Sequence, residues 1–262
     1  RVLNFASNTF NENETSYFHK SIGGYHPAKL RRYQEMIDAY IAPEMQKTMQ
    51  AIAAAGGNMQ AVDGVKTFPV LNMLNTKYFI LPLQGGTTAP IQNPYAQGNG
   101  WFVNKLNYVD DANAEYAEVG KIDVRHEAVA DKKFEATLGQ AKTNDSTATV
   151  KLDKYEPNNL QYTVNSKNGG VVVFSEIYYP HGWHLTLDGK EELPLVRADY
   201  TLRAAYIPAG THELTMTFDP ASIHRTELVA KICTALLALL LLASLIQPFL
   251  KRKDKKATTP QH

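Results

Sequence analysis

The sequence predicts an α+β protein: an N-terminal mixed α/β region, an antiparallel β-sandwich after it, and one C-terminal transmembrane helix. Three observations carry this reading. Helix-spaced and β-prone segments interleave up to about residue 124; short alternating runs separated by turn residues follow; and Ile232 to Leu250 contains no formal charge. The corresponding organisation is 1–124 as a mixed α/β extracytoplasmic region, 125–222 as the sandwich, 223–250 as membrane entry and transmembrane helix, and 251–262 as a basic cytoplasmic tail.

Val2 to Phe5 reads as a short strand, and Ala6 to Gly24 as a polar, turn-rich stretch. Pro27 suits the first position of a helix on which Leu30, Tyr33, Ile37, Tyr40 and Ile41 recur at helical spacing. A second helix is expected after Pro43, with Met45, Met49 and Ile52 on one face and Gly56-Gly57 as its stop. Met36, Met45, Met49 and Met59 suit core or inter-helix packing. A short helix from Pro69 to Leu74 leads into Lys77 to Leu81, expected as a buried strand stopped by Pro82. Gln84 to Gly100 reads as a long loop, Trp101 to Val103 as a strand, and Asp111 as the cap of a helix carrying Ala114, Tyr116, Ala117 and Val119.

Beyond residue 125 the strand-like runs are Thr147 to Leu152, Leu160 to Val164, Val171 to Ile177, Trp183 to Leu187, Leu193 to Arg197, Leu202 to Ile207 and Leu214 to Phe218. Asp188-Gly189 supplies a tight hairpin signal and Pro208-Ala209-Gly210 a second turn. Strands at this spacing point to a sandwich. With no long Pro- or Ser-rich linker near residue 125, the two outer regions are expected to share an interface.

The 19 residues from Ile232 to Leu250 span roughly 28 Å as a helix, close to the ~30 Å hydrocarbon core of a bilayer. A core helix of that length would show a polar face, and here only Thr234, Ser244 and Gln247 are polar. Lys251 to Lys256 carries a net charge of +4 in a chain of +1, so the rest of the molecule is slightly acidic. That distribution gives no electrostatic case for nucleic-acid binding. By the positive-inside rule it places the C-terminus in the cytoplasm and residues up to about 228 outside. The lone cysteine, Cys233, lies within the span, so the outer body relies on its core rather than on disulfides, as suits a bacterial envelope protein. The sequence opens at Arg1 with neither an initiator Met nor a signal peptide. Export of the body then implies a C-terminal piece of a longer membrane protein whose upstream core supplies targeting.

Several motifs, in order, resemble the C-terminal region of the YfhO family of bacterial polytopic membrane proteins. They are Ser21 to Tyr33 (SIGGYHPAKLRRY), Met73 to Ile80 (MLNTKYFI), Asn99 to Val103 (NGWFV), Glu176 to Trp183 (EIYYPHGW), Asp188 to Lys190 (DGK) and Leu202 to His212 (LRAAYIPAGTH). The resemblance implies a GT-C-type glycosyltransferase, whose multi-span core uses a polyprenyl-phosphate sugar donor and an envelope glycan or lipid acceptor. Its acidic catalytic residue is expected in a first outer loop that this sequence lacks, so no catalytic residue is carried over. No cofactor is expected in this chain, and any divalent metal would belong to the full-length enzyme.

Two groups of residues are candidate binding sites. Tyr25, His26, Lys29, Arg31 and Arg32 place cations and an imidazole behind the Gly23-Gly24 pair, at what reads as a helix start; such a corner suits a donor diphosphate. The plainer reading makes the cations a solvated helix face. Tyr178, Tyr179, His181 and Trp183 could stack on and hydrogen-bond a sugar ring, the plainer reading being that Trp183 is core. His181, His184 and His212 do not reproduce a metal-ligand pattern, and Glu191-Glu192 and Asp110-Asp111 suit turns or caps. The remaining function class is a single-span envelope module that binds glycan or a partner protein without catalysis.

Overall fold

The computed structural model describes residues 1–56, 68–141 and 145–257; Gly57 and Met59 lie outside them. Arg1–Phe218 forms one compact unit and Asp219–His262 a second. In the first, strand β1 (Val2–Asn4) is followed by a single turn of helix, α1 (Glu14–Phe18). Helix α2 (Arg31–Met36), a π-helical turn (Ile37–Ile41) and α3 (Ala42–Ala54) then follow without interruption. Sequence spacing splits this segment in two at Pro43, yet the helix continues. Pro43 offers no N–H to the carbonyl four residues back and its ring would crowd that carbonyl; the wider π turn immediately before it accommodates both effects.

Helix α4 (Pro69–Met73) leads to β2 (Tyr78–Pro82), which pairs parallel to β1 and antiparallel to β3 (Thr88–Gln92). Two expectations are corrected here. The loop assigned to Gln84 to Gly100 contains strand β3, and β2 includes Pro82 and is buried on one face alone, through Phe79 and Leu81. The reason is the edge position of β3, which tolerates Pro90 because one side of an edge strand needs no donor. Strands β4 (Gly100–Phe102) and β5 (Lys105–Val109) follow, then α5 (Ala112–Val119), capped by the Asp111 carboxylate accepting from the N–H groups of Asn113 and Ala114, both at 2.8 Å. Strand β6 (Glu127–Asp131) runs parallel to β5, making α5 the crossover of a βαβ unit. Helix α6 (Glu135–Leu138) closes this half.

The remaining strands are β7 (Thr149–Glu156), β8 (Asn159–Ser166), β9 (Gly170–Ile177), β10 (Trp183–Leu187), β11 (Glu191–Leu193), β12 (Val196–Ala198), β13 (Leu202–Ile207) and β14 (Gly210–Phe218). They form a five-stranded sheet, β11-β10-β14-β8-β7, and a four-stranded sheet, β12-β13-β9-β4. The hairpin at Asp188-Gly189 is present, both residues having positive φ. Val172, Phe174, Ala205 and Ile207 pack between the two sheets with Tyr162, Leu185 and Leu214. The other face of the four-stranded sheet, with Val171, Val173, Leu202 and Ala204, joins the larger core of the N-terminal helices and strands. The fourth strand of that sheet, β4, comes from before residue 125. The sheet is thus a middle layer, and strand β9 is buried on both faces.

The turn from β12 to β13 fastens the layers together. Asp199 and Tyr200 both have positive φ (48° and 65°), costly for a bulky tyrosine, so the surroundings must hold the turn in place. Asp199 accepts from the Val129 N–H at 2.8 Å and returns its own N–H to the Val129 carbonyl at 2.8 Å. Glu115 of α5 accepts from the Tyr200 N–H at 3.1 Å and pairs with Arg197 at 2.7 Å. Glu115 and Arg197 are 0% and 6% exposed.

In the second unit, helix α7 (Ala221–Ala257) includes Ala221–Gln247, long and apolar enough to cross a membrane, with the leucines from Leu236 to Leu245 exposed. Residues 258–262 of the basic tail lie outside the described residues.

Glu115→Gln leaves the Arg197 charge buried, partly offset by Asp131 at 3.8 Å. It should therefore lower the unfolding free energy by about 3 kcal/mol, the low end for a broken buried pair, as read by urea denaturation. Burial first, then nearby Glu115, raises the Asp199 carboxyl from 3.8 to about 8. The folded protein then keeps a proton that the unfolded chain has released, so this group's contribution to stability falls as pH rises from about 4 to about 8. Asp199→Asn should remove that slope and be more stable than the parent at about pH 9 by on the order of 1–3 kcal/mol, with a smaller difference at about pH 5, in parallel urea titrations.

Candidate functional site

The two groups of candidate residues meet, in part, at one cavity. Arg31 and Arg32 from the start of α2 and Tyr178 from the end of β9 line a space of about 480 Å³, closed on its other sides by Lys133, Arg197 and the turn residues Tyr200 and Thr201. Leu30, Phe134 and Ile177 supply apolar wall. Four separate pieces of the chain build it: the helix start, the segment after β6, the end of β9, and the turn that Glu115 and Asp199 hold in its strained conformation.

The electrostatics are largely internal. The Arg31 Nε donates to Glu35 at 2.9 Å, and the Tyr200 hydroxyl donates to the other Glu35 oxygen. These bonds, Tyr200 foremost, hold Glu35 below the usual carboxylate range, while burial and then Glu35 push the Tyr200 hydroxyl up to about 12, keeping it a donor. Lys133 pairs with Asp131 at 2.9 Å and Arg197 with Glu115. The Arg32 guanidinium lies over the Tyr200 ring, 4.4 Å from its centroid.

Tyr25, His26 and Lys29 line a separate, smaller cavity of about 280 Å³ with Gly23, Gly24 and Tyr33. The helix begins at Arg31 rather than at Pro27, with an extended Leu30 before it. The reason is a local turn in which His26 Nδ1 accepts from the Ala28 N–H at 3.1 Å. The glycine pair is pinned rather than flexible. A Cβ on Gly23 would sit 2.1 Å from the Thr9 carbonyl oxygen, and the Gly24 N–H donates to that oxygen at 2.7 Å. Only glycine permits this approach.

On the sandwich, Trp183 packs against Phe218 at 5.2 Å between ring centroids, with the Arg203 guanidinium 3.8 Å over its ring. Tyr179 is exposed, its ring edge-on to His181 at 5.6 Å. None of these three lines the cavity that Tyr178 lines. His184 reaches Glu192 at 2.7 Å and His212 reaches Asp188 at 2.8 Å, tying neighbouring strands and a turn. Among the described residues no cluster of three His, Cys, Asp or Glu side chains forms a metal site.

Sequence reading missed Lys133, Phe134, Arg197, Tyr200 and Thr201. A signal was available: Arg197 interrupts an apolar strand, and Asp199-Tyr200 sits where the chain must reverse between two strands.

Residues 121–230 match the family model described as bacterial membrane protein YfhO. No curated protein and no solved structure matches the chain. The matched segment contains the motifs at Glu176 to Trp183, Asp188 to Lys190 and Leu202 to His212; those at Ser21 to Tyr33, Met73 to Ile80 and Asn99 to Val103 precede it. It covers β6 through β14 and the first turns of the apolar helix, and over this segment the chain is similar to the YfhO family of bacterial membrane proteins.

Proposed function

We propose that the chain is the extracytoplasmic C-terminal region of a membrane glycosyltransferase that uses a polyprenyl-phosphate sugar donor and an envelope glycan or lipid acceptor, and that it does not itself catalyse transfer. The supporting observation is the YfhO match running from the sandwich into a helix long and apolar enough to cross a membrane. The basic run from Lys251 to Lys256 orients that helix with its C-terminal end in the cytoplasm, which leaves residues 1 to about 228 outside. A donor lipid needs a groove within the membrane, which one helix does not form; that groove belongs to an upstream membrane core of the same protein.

In this reading the outer body holds substrates against the reaction face. The corner carrying Tyr25, His26, Lys29, Arg31 and Arg32 faces the donor phosphates, with Arg side chains suited to bidentate contacts. Tyr179, His181 and Trp183 face the acceptor, exposed Tyr179 offering an aromatic surface to a sugar ring, while Tyr178 lines the cavity on the donor side. That same exposed tyrosine favours the second reading, a single-span module that binds glycan without catalysis.

Full-length protein in nanodiscs should transfer sugar from a polyprenyl-phosphate donor, while the 262-residue chain should not. The double charge reversal Arg31→Glu/Arg32→Glu in the full-length protein should raise the KM for donor by about tenfold or more, read on protein that thermal melting shows to be folded at the assay temperature. Transfer by the short chain alone, or an unaltered donor KM in the double variant, would count against the proposal. Glycan binding by the chain, with no transfer by the full-length protein, would support the second reading.

A further inference from the structure

The partners of the four cations around the 480 Å³ cavity decide what it can hold. Arg31, Lys133 and Arg197 are each neutralised by a carboxylate, at 2.9, 2.9 and 2.7 Å. Arg32 makes no ion pair within 4.0 Å among the described residues, and feels the Glu35 charge only from beyond that distance. It stacks on Tyr200, and its Nη1 is buried without an acceptor. Thr201, 3% exposed, lines the same cavity, and its Oγ1 is likewise buried without a partner. A buried donor left unsatisfied is costly, more so when it carries charge. A guanidinium stacked through its face still has its in-plane N–H groups free, in the fork that matches a phosphate or carboxylate.

An oxyanion is the ligand class that answers two orphaned donors on one cavity, one of them cationic. We infer that this cavity is an anion-binding site centred on Arg32 and Thr201, and that its ligand is a phosphate or carboxylate carried on a ring. The ring follows from the rest of the wall. Tyr178, Phe134, Leu30 and Ile177 present aromatic and aliphatic surface, and the volume falls within the roughly 300–1,000 Å³ range of small-molecule sites. The paired cations add shape rather than free charge, since each has its carboxylate in place. The site narrows the donor-facing corner proposed above to Arg32, and rests on that reading for the source of the anion alone.

The test titrates the whole chain in detergent with a hexose 1-phosphate, with inorganic phosphate, and with nanodiscs containing phosphatidic acid, by calorimetry. Hexose 1-phosphate should bind, and Arg32→Gln should weaken it by about tenfold or more, the loss expected for a charge-assisted hydrogen-bonded pair. Thr201→Val, close in volume and lacking the hydroxyl, should weaken it several-fold. Arg31→Gln should change it by less than about threefold, because Arg31 is already committed to Glu35. Thermal melting by circular dichroism checks that each variant is folded. Binding confined to inorganic phosphate or to the lipid phosphate, and lost in Arg32→Gln, keeps the anion site, names its source and overturns the ring. The inference is overturned if none of the three probes binds, or if folded Arg32→Gln and Thr201→Val bind like the parent. Loss of anion binding in Arg32→Gln with an unaltered donor KM in the full-length enzyme would leave this site standing and remove the donor-facing assignment.

Discussion

The buried pair between Glu115 and Arg197 is the constraint on which the rest of the outer body depends. One oxygen of Glu115 takes the Arg197 guanidinium; the other takes the Tyr200 N–H. A single carboxylate thereby joins the crossover helix of the N-terminal half to a strand and a turn of the sandwich. Such a pair contributes modestly to stability relative to a well-packed apolar substitute, and is severe to break. Its contribution is geometric. It holds two successive residues at positive φ that neither Asp199 nor Tyr200 would adopt unassisted, and Asp199 adds a two-way exchange with Val129.

The cavity is a consequence of that fastening. Once the turn is held, the Tyr200 ring is fixed, and its hydroxyl and face both find partners from α2: Glu35 at the hydroxyl and Arg32 over the ring. Glu35 gives one oxygen to Tyr200 and the other to Arg31, and forms no ion pair with Arg32. The charge left over in the cavity is therefore set by the arrangement of carboxylates around it, and the count of cations alone does not reveal it. The sequence run Lys29-Leu30-Arg31-Arg32 shows three positive charges in a row of four, whereas folding commits Arg31, turns Lys29 towards the Phe10 ring at 5.8 Å, and leaves Arg32 facing the cavity with a buried nitrogen unsatisfied.

Most of the sandwich was legible in sequence because its strands alternate and its turns carry Gly, Pro and Asp at defined positions, as at Asp188-Gly189. Strand β3 was hidden because Thr88 to Gln92 is short and contains a proline, which only edge placement makes acceptable. Strand β5 was missed because its pairing is parallel, with a partner some twenty residues on, and parallel pairing leaves no local turn to read. The π turn before Pro43 depends on how a helix relieves one ring, which periodicity does not encode. At the site, Arg31, Arg32 and Tyr178 stood out through charge and aromatic clustering. Lys133, Arg197 and Thr201 did not, because their role arises only when segments from about residues 30, 130, 180 and 200 are brought together.

The middle sheet also bears on where the unit recognised by the family match can stand alone. Residues 121–230 hold β6 through β14, yet the strand that completes the four-stranded sheet, β4, lies at Gly100–Phe102, before the match begins. The face formed by Val171, Val173, Leu202 and Ala204 is covered by residues from the N-terminal half. Removing that half would expose four fully buried apolar side chains, at roughly 1–3 kcal/mol for each of the larger ones. It would also leave Arg197 without Glu115 and Asp199–Tyr200 without the contact that offsets its strain. The matched segment is therefore one side of a structure whose other side must be present for the turn, and with it the cavity, to exist.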